Sequence, residues 1–316
     1  MKGVVFPSSS PIDGRMNAQR LVDIPPDEGL VPIVVACDER YAMPLATLLS
    51  SITRNNKRHW PISIIVINDG FNPTLRDRVI DSIPRDSVNI RWVDIDLSFA
   101  ESFARLDHTS EMTFARLAML DIVDCETSHI LYLDVDILVL GDLGPLCALK
   151  KEPFAIAAAP DMYIKVFPGS IFPYFNAGVL LVNIEESIKR GIFSKATQYL
   201  LDNPSTSYGD QDALNSACAG NWHCLEEKWN YQSHISAAIS SIAASKCPSI
   251  VHFITKWKPW LPSSASKNSN LYESYRNDTQ FSRTRRQKVF ATIASILYRV
   301  YYKFLNIRRS ISNKID

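Results

Sequence analysis

Four short apolar runs, Ile33–Ala36, Ile62–Ile67, Ile90–Val93 and Ile130–Leu133, set the strongest limit on what this chain can fold into. Each is too short for a helix, rich in β-branched or large aliphatic residues, and bounded by polar side chains. That pattern fits strands buried on both faces of a parallel sheet. Between the runs the apolar spacing becomes helical: Leu45, Leu48, Leu49 and Ile52 follow Pro44, and Leu75, Val79 and Ile83 follow Pro73. The alternation predicts an α/β fold, a doubly wound and mainly parallel sheet with flanking helices, whose ligands sit at the carboxyl ends of the strands. Further spacing predicts a helix over Thr113 to Val123, strands at Phe154 to Ala159 and Gly178 to Asn183, a helix from about Glu185 to Leu201 and a short one from near Asp210. Residues 1–30 read as an irregular extension, 31–260 as the folded domain, 261–282 as a polar linker rich in Ser and Asn, and 283–316 as a basic amphipathic tail.

The charge balance separates the last two segments. A formal net charge of +1 hides −7 over residues 1–282 and +8 over residues 283–316. Confinement of the basic charge to one end excludes a nucleic-acid-binding body. With 46% hydrophobic residues the chain has ample core, which excludes disordered and disulfide-scaffold classes. The six cysteines are scattered without a CxxC, which favours reduced, mostly buried thiols in a cytosolic protein. Cys218, His223 and Cys224 lack a second ligand pair at zinc-finger spacing and read as core residues. The run Val4–Phe6 is too short for a signal-peptide core, and no stretch of about 20 uncharged apolar residues follows. Neither GxGxxG nor GxxxxGKS follows a strand, so any bound phosphate must be neutralised by other means.

The stretch Leu131 to Leu140 embeds two aspartates, Asp134 and Asp136, in an apolar strand. In an extended chain positions i and i+2 share a face, which brings both carboxylates to one locality. Two like charges raise each other's cost of ionisation unless a cation lies between them, and oxygen ligands suit Mn²⁺ or Mg²⁺. An isolated DxD is also read as a turn formed with Gly141 and Asp142.

Six segments in order decide between these readings: Val34 to Tyr41, Thr113 to Leu117, Leu131 to Asp136, Tyr174 to Asn183, Gly209 to Asn215, and His252 to Trp260. Together they resemble the family 8 retaining glycosyltransferases, in particular the bacterial lipopolysaccharide α-galactosyltransferase and α-glucosyltransferase type, over roughly residues 31–260. The resemblance implies a GT-A type, Rossmann-like fold and a metal-dependent transfer of a hexose from a UDP-sugar to a saccharide or glycolipid acceptor. By the same resemblance Asp134, Asp136 and His252 would ligate Mn²⁺ or Mg²⁺. Ala36, Asp38 and Tyr41 would hold the uridine, Lys258 the diphosphate, and Arg116, Val135, Asn176 and Thr255 would complete the donor site. Asp161, Asp210 and Gln211 would surround the reacting sugar, with Asp210 a carboxylate nucleophile by analogy with retaining hydrolases or, alternatively, a helix cap. Gln211 would sit nearest the reacting face, which also admits a same-face mechanism assisted by the departing phosphate.

The chain departs from the family pattern at Thr255, where HxxGxxKPW has glycine, and at Arg40, where asparagine is common. Thr255 motivates a second reading, a non-catalytic nucleotide-sugar or carbohydrate-binding protein with a degenerate donor site. A sugar-nucleotide pyrophosphorylase is a third, without its glycine- and arginine-rich phosphate loop. In the tail, Val289, Phe290, Ile293, Ile296, Leu297, Val300, Tyr301, Phe304 and Leu305 fall on one helical face flanked by Lys288, Arg299 and Lys303. This suits a helix lying on an anionic membrane surface, at the inner face of the cytoplasmic membrane, or a terminal helix packed on the domain or a partner.

Overall fold

The structure is a computed structural model that describes residues 30–97, 111–123, 127–233, 239, 247–261, 266–294, 296–297 and 300. The expected alternation is present. Strand β1 (Ile33–Ala36), helix α1 (Ala42–Asn55), β2 (Ile62–Asn68), α2 (Pro73–Ile80) and β3 (Val88–Asp94) follow one another. Every residue of β1 and β2 is buried, which explains their continuous apolar composition. The start of α2 is set by Asn72, whose side chain accepts from Thr74 N, with Pro73 at the first helical position.

After a 3-10 stretch at Glu111–Ala118 come α3 (Met119–Ile122), β4 (His129–Leu133), β5 (Ile137–Val139), α4 (Gly144–Cys147), β6 (Ile156–Pro160) and β7 (Phe175–Asn183). The chain continues with α5 (Ile184–Arg190), α6 (Ile192–Asp202), α7 (Gly209–Cys218), β8 (His223–Cys224), β9 (Tyr231–Gln232), β10 (Ile250–His252) and α8 (Ser269–Arg276). The larger sheet has the order β3-β2-β1-β4-β7-β6-β8 and the smaller β5-β10-β9. Strands β3, β2, β1 and β4 are mutually parallel, while β7 runs antiparallel to both β4 and β6.

Alternate residues of each central strand feed opposite layers. Ile33, Val35, Leu131 and Leu133 pack with Leu45, Leu48 and Leu49 of α1. Val34, Ala36, Ile130 and Tyr132 pack with Phe114 and with α6 and α7. The order 3-2-1-4 reverses direction at β1, so a crevice opens beyond the carboxyl ends of β1 and β4.

The fold departs from the sequence expectations in several places. The segment expected as one helix over Thr113 to Val123 is mostly 3-10. The helix expected over Glu185 to Leu201 is broken by Gly191, whose φ of 62° closes α5 with a left-handed cap. Residues 266–282 of the expected linker are packed on the body: α8 buries Tyr272 and Tyr275, and Phe281 is also buried. These aromatics, three apart on the helix, were masked by the surrounding Ser and Asn. The Tyr272 ring lies 5.0 Å from that of Trp260, tilted by 37°, and Asn55 Nδ2 of α1 donates to Tyr275 Oη at 3.1 Å.

Arg283 also belongs to the body, donating to Trp260 O at 2.6 Å and lying 3.1 Å from Glu273. The tail helix begins one residue later. Gln287 N donates to Thr284 Oγ1 while Thr284 N donates to Gln287 Oε1, a reciprocal cap that starts the helical residues at 285. Cys37, Cys147 and Cys218 are buried, but Cys224 and Cys247 are exposed. Cys125, residues 1–29 and residues 301–316 lie outside the described residues.

Leu49 is fully buried between α1 and the sheet. Leu49→Ala should lower stability by about 2–5 kcal/mol, read as a shifted urea midpoint with an unchanged slope.

Candidate active site

Strand β4 ends at Leu133, and Asp134 to Asp136 form a turn rather than an extended continuation of the strand. The sequence expectation of two carboxylates sharing a strand face is therefore corrected: turn geometry and pairing with a second sheet bring them together. Asp134 N donates to Gly178 O at 2.8 Å, which ties the turn to β7. On the other side β5 pairs antiparallel with β10, setting His252 opposite Ile137, and Phe253 N donates to Asp136 O at 3.0 Å.

The result places His252 Nε2 3.2 Å from Asp136 Oδ1 and 3.5 Å from Asp134 Oδ2. One ligand atom from each of Asp134, Asp136 and His252 lies within 4.8 Å of the others. Two carboxylates and an imidazole so gathered suit a divalent cation such as Mn²⁺ or Mg²⁺. Gly178 makes the room: a Cβ there would stand 2.1 Å from His252 Cε1 and 2.9 Å from Asp134 Oδ2.

Two buried cations offset the acidic charge. Arg116 Nη2 lies 3.0 Å from Asp134 Oδ1 and its Nε 2.5 Å from Asp210 Oδ2, while Nη1 donates to Ala177 O at 2.6 Å. Its guanidinium lies over the Tyr132 ring, whose hydroxyl donates to Asp134 Oδ1 at 3.0 Å. Burial acts against charge on Arg116, yet Asp134 and Asp210 hold its pKa above the usual arginine value. Lys258 Nζ donates to Asp136 Oδ2 at 2.5 Å and to Phe253 O at 2.6 Å. Burial likewise opposes charge on Asp136, but Lys258 and His252 outweigh it and keep its carboxyl well below the usual range. Burial pushes Asp210 the other way, up to about 6, against the pull of Arg116.

A second polar group lies beside the first. Asn176 Nδ2 and Gln211 Nε2 both donate to Asp161 Oδ2, at 3.2 and 3.3 Å. Ala177 N donates to Gln211 Oε1 at 3.0 Å, and Thr113 Oγ1 donates to Asp210 Oδ1 at 2.9 Å. Asp210 lies in the first turn of α7 but does not cap it; no side chain caps this helix, although Asp212 accepts from Tyr208 N at 2.9 Å.

These groups line one cleft of about 390 Å³, within the range typical of ligand sites. Ala36, Tyr41, Arg116, Asp134, Val135, Asp136, Asp161, Asn176, Asp210, Gln211, His252 and Lys258 all face it. Asp38 and Thr255 are not among its lining: Asp38 accepts from Arg40 N at 2.9 Å and from Arg40 Nη2 at 2.7 Å instead.

Sequence reasoning missed Thr113, Tyr132, Tyr163, Tyr208 and the neighbouring Asn230. For Tyr132 the period-2 rule that linked the aspartates was a usable signal, and for Thr113 it was the proximity to Arg116. Cys37 also lines the cleft, but burial raises its thiol pKa far above the ordinary value, which leaves it a neutral packing group.

A model of glycosyl transferase family 8 matches residues 32–264. General stress protein A of Bacillus subtilis is 26% identical over 79% of this chain and 91% of its own length. Lipopolysaccharide 1,3-galactosyltransferase of Salmonella typhimurium is 27% identical over 52% of this chain and 54% of its own. The match likewise spans only 61% of the glycosyltransferase GlyF of Streptococcus pneumoniae, at 28% identity. Among solved structures, the galactosyltransferase LgtC in complex with donor and acceptor sugar analogues superposes with a TM-score of 0.69 at 22% identity, over 82% of this chain and all of that one. The fold is therefore of the GT-A type.

Gly178→Ala should displace His252 and weaken Mn²⁺ binding by about 10-fold or more, measured by electron paramagnetic resonance. Overpacking at the same position should cost about 1–3 kcal/mol of stability in urea.

Proposed function

The chain belongs to glycosyl transferase family 8, and from that premise we propose that it moves a hexose, galactose or glucose, from a UDP-sugar to a saccharide acceptor of a lipopolysaccharide or other surface glycan, with retention of configuration and a bound Mn²⁺ or Mg²⁺. The observation that carries this reading is the convergence of Asp134, Asp136 and His252 with Arg116 and Lys258 at one end of a cleft whose other end holds Asp161, Asn176 and Gln211. A diphosphate needs cations and a sugar needs directional hydrogen bonds, and the cleft presents both.

Asp134, Asp136 and His252 would hold the metal, which would supply Lewis-acid charge to the diphosphate. Lys258 hands Asp136 over on donor binding and meets a phosphate oxygen as a point charge. Ala36 at the end of β1 and Tyr41 in the 3-10 turn that follows stand for the base and ribose, and Val135 contributes from the turn after β4. Asp161 accepts from the sugar hydroxyls, and the Asn176 amide donates to them.

Both oxygens of Asp210 are already engaged, by Thr113 and by Arg116, which leaves it a poor nucleophile. This favours the same-face route beside Gln211. The bond from the anomeric carbon to the diphosphate oxygen breaks, the acceptor oxygen bonds to that carbon from the same side, and its proton passes to the departing phosphate. The non-catalytic reading rests on Thr255, and no residue of the cleft lining adds to it.

We place the enzyme at the cytoplasmic face of a membrane through its tail. No helix among the described residues is long and apolar enough to cross a membrane. The described helical residues between 285 and 300 instead leave Val289, Phe290, Ile293, Ile296, Leu297 and Val300 between 52% and 68% exposed. An apolar face left open in a segment whose residues 284–316 carry a net charge of +7 suits an anionic lipid surface.

UDP release with Mn²⁺ and a panel of UDP-sugars tests the activity. Asp136→Ala should lower kcat/KM by about 100-fold or more, and turnover that survives it unchanged rules out the metal role. A chain ending at Thr284 should bind anionic vesicles at least ~100-fold more weakly, at about 1 kcal/mol per basic residue, while keeping activity on a soluble acceptor.

A further inference from the structure

Asn230 is fully buried between the 3-10 turn at Glu227–Trp229 and β9, and it touches both polar groups of the cleft without lining it. Its Oδ1 lies 3.1 Å from His252 Nδ1, and its Nδ2 donates to Asn176 Oδ1 at 2.9 Å. Asn176 in turn donates through Nδ2 to Asp161 Oδ2 at 3.2 Å and accepts through Oδ1 from Gly178 N at 3.1 Å.

The direction of every hydrogen bond in this chain follows from its ends. A backbone N–H only donates, so the Asn176 atom facing Gly178 N is the amide oxygen. A carboxylate only accepts, so the Asn176 atom facing Asp161 is the amide nitrogen. With Asn176 fixed, the Asn230 atom that faces its oxygen must be the NH₂ group. Asn230 therefore turns its carbonyl oxygen to His252 Nδ1, and that nitrogen must carry the hydrogen. The remaining nitrogen, Nε2, is the one that points between Asp134 and Asp136.

We propose that Asn230 is a positioning residue: by accepting from His252 Nδ1–H it holds the imidazole in the orientation and tautomer that offers Nε2 to the metal, and through Asn176 it locks the metal histidine to the residues that grip the donor sugar. The inference rests on the metal reading above. Nothing in the chain's pattern marks Asn230, which follows Trp229 in an unremarkable turn. Its effect comes from burial, since a hydrogen bond without competing water sets the ring orientation far more strictly than an exposed one. Partners that orient a ligating histidine in this way are typically worth about 10–100-fold in metal affinity.

The test compares Mn²⁺ dissociation constants, by electron paramagnetic resonance, of the full-length wild type, Asn230→Leu and Asn230→Asp. Asn230→Leu removes the acceptor while keeping the branched heavy-atom skeleton and should bind about 10–100-fold more weakly. Asn230→Asp keeps an acceptor opposite Nδ1 and should recover part of that loss, though its second oxygen cannot donate to Asn176 Oδ1. Equal affinity of Asn230→Leu and wild type, or no recovery in Asn230→Asp, overturns the inference while leaving the metal reading intact. A wild type that does not bind Mn²⁺ overturns both.

A measurement on the unmodified protein makes the result independent of how the variants fold. Long-range ¹H–¹⁵N correlations of the Mg²⁺-loaded wild type should place the His252 proton on Nδ1, and a proton on Nε2 overturns the inference.

Discussion

Two carboxylates separated by one residue are held together at the end of a buried strand, and much of the surrounding architecture answers that electrostatic demand. Asp134 and Asp136 are half-buried, with 21% and 13% of their side chains exposed, so water screens their repulsion only in part. An unpaired buried charge costs several kcal/mol, and removing one partner of a buried pair costs about 3–5 kcal/mol. Arg116 on the 3-10 stretch and Lys258 beyond β10 are both buried against these acids. Each cation is itself made tolerable by the carboxylates, so acids and bases are mutually necessary. A site balanced in this way fits the proposed exchange of its internal partners for a metal and a diphosphate.

The two sheets meet at this point for the same reason. The large sheet supplies Ala36, the end of β4 and the Asn176 to Gly178 segment of β7, while the small sheet supplies His252. Only a residue without a side chain can stand where β7 passes under the imidazole, and that residue is Gly178. The amide chain from His252 through Asn230 and Asn176 to Asp161 then bridges the sheets with directed hydrogen bonds. A geometry set by packing at one end and by hydrogen-bond direction at the other leaves little freedom to the groups between.

Legibility in the sequence followed the range of the forces involved. The central strands and α1 and α2 were readable because burial on both faces demands an unbroken apolar run and helical packing demands a 3.6-residue period. The DxD was readable as a pair, though for the wrong local reason, since a turn rather than an extended strand gathers the carboxylates. The α8 segment was misread because Tyr272 and Tyr275 are too few among Ser and Asn to dominate composition, yet two buried aromatics suffice to dock a helix of eight residues. Gly191 breaks a helix whose apolar period runs on across it, a boundary that periodicity does not register.

The sequence by itself determined the α/β class, the family, the metal-ligand candidates and the charge division between body and tail. Each of these depends on residue identity or on spacing along the chain, which local periodicity preserves. Only the tertiary structure decided that Lys258 holds Asp136, that both oxygens of Asp210 are engaged, that Arg283 belongs to the body, and that Asn230 faces His252. Those facts join residues tens to more than a hundred positions apart through sheet register and buried hydrogen bonds. Register between strands is settled by the packing of the whole core, and no stretch of chain carries that information alone.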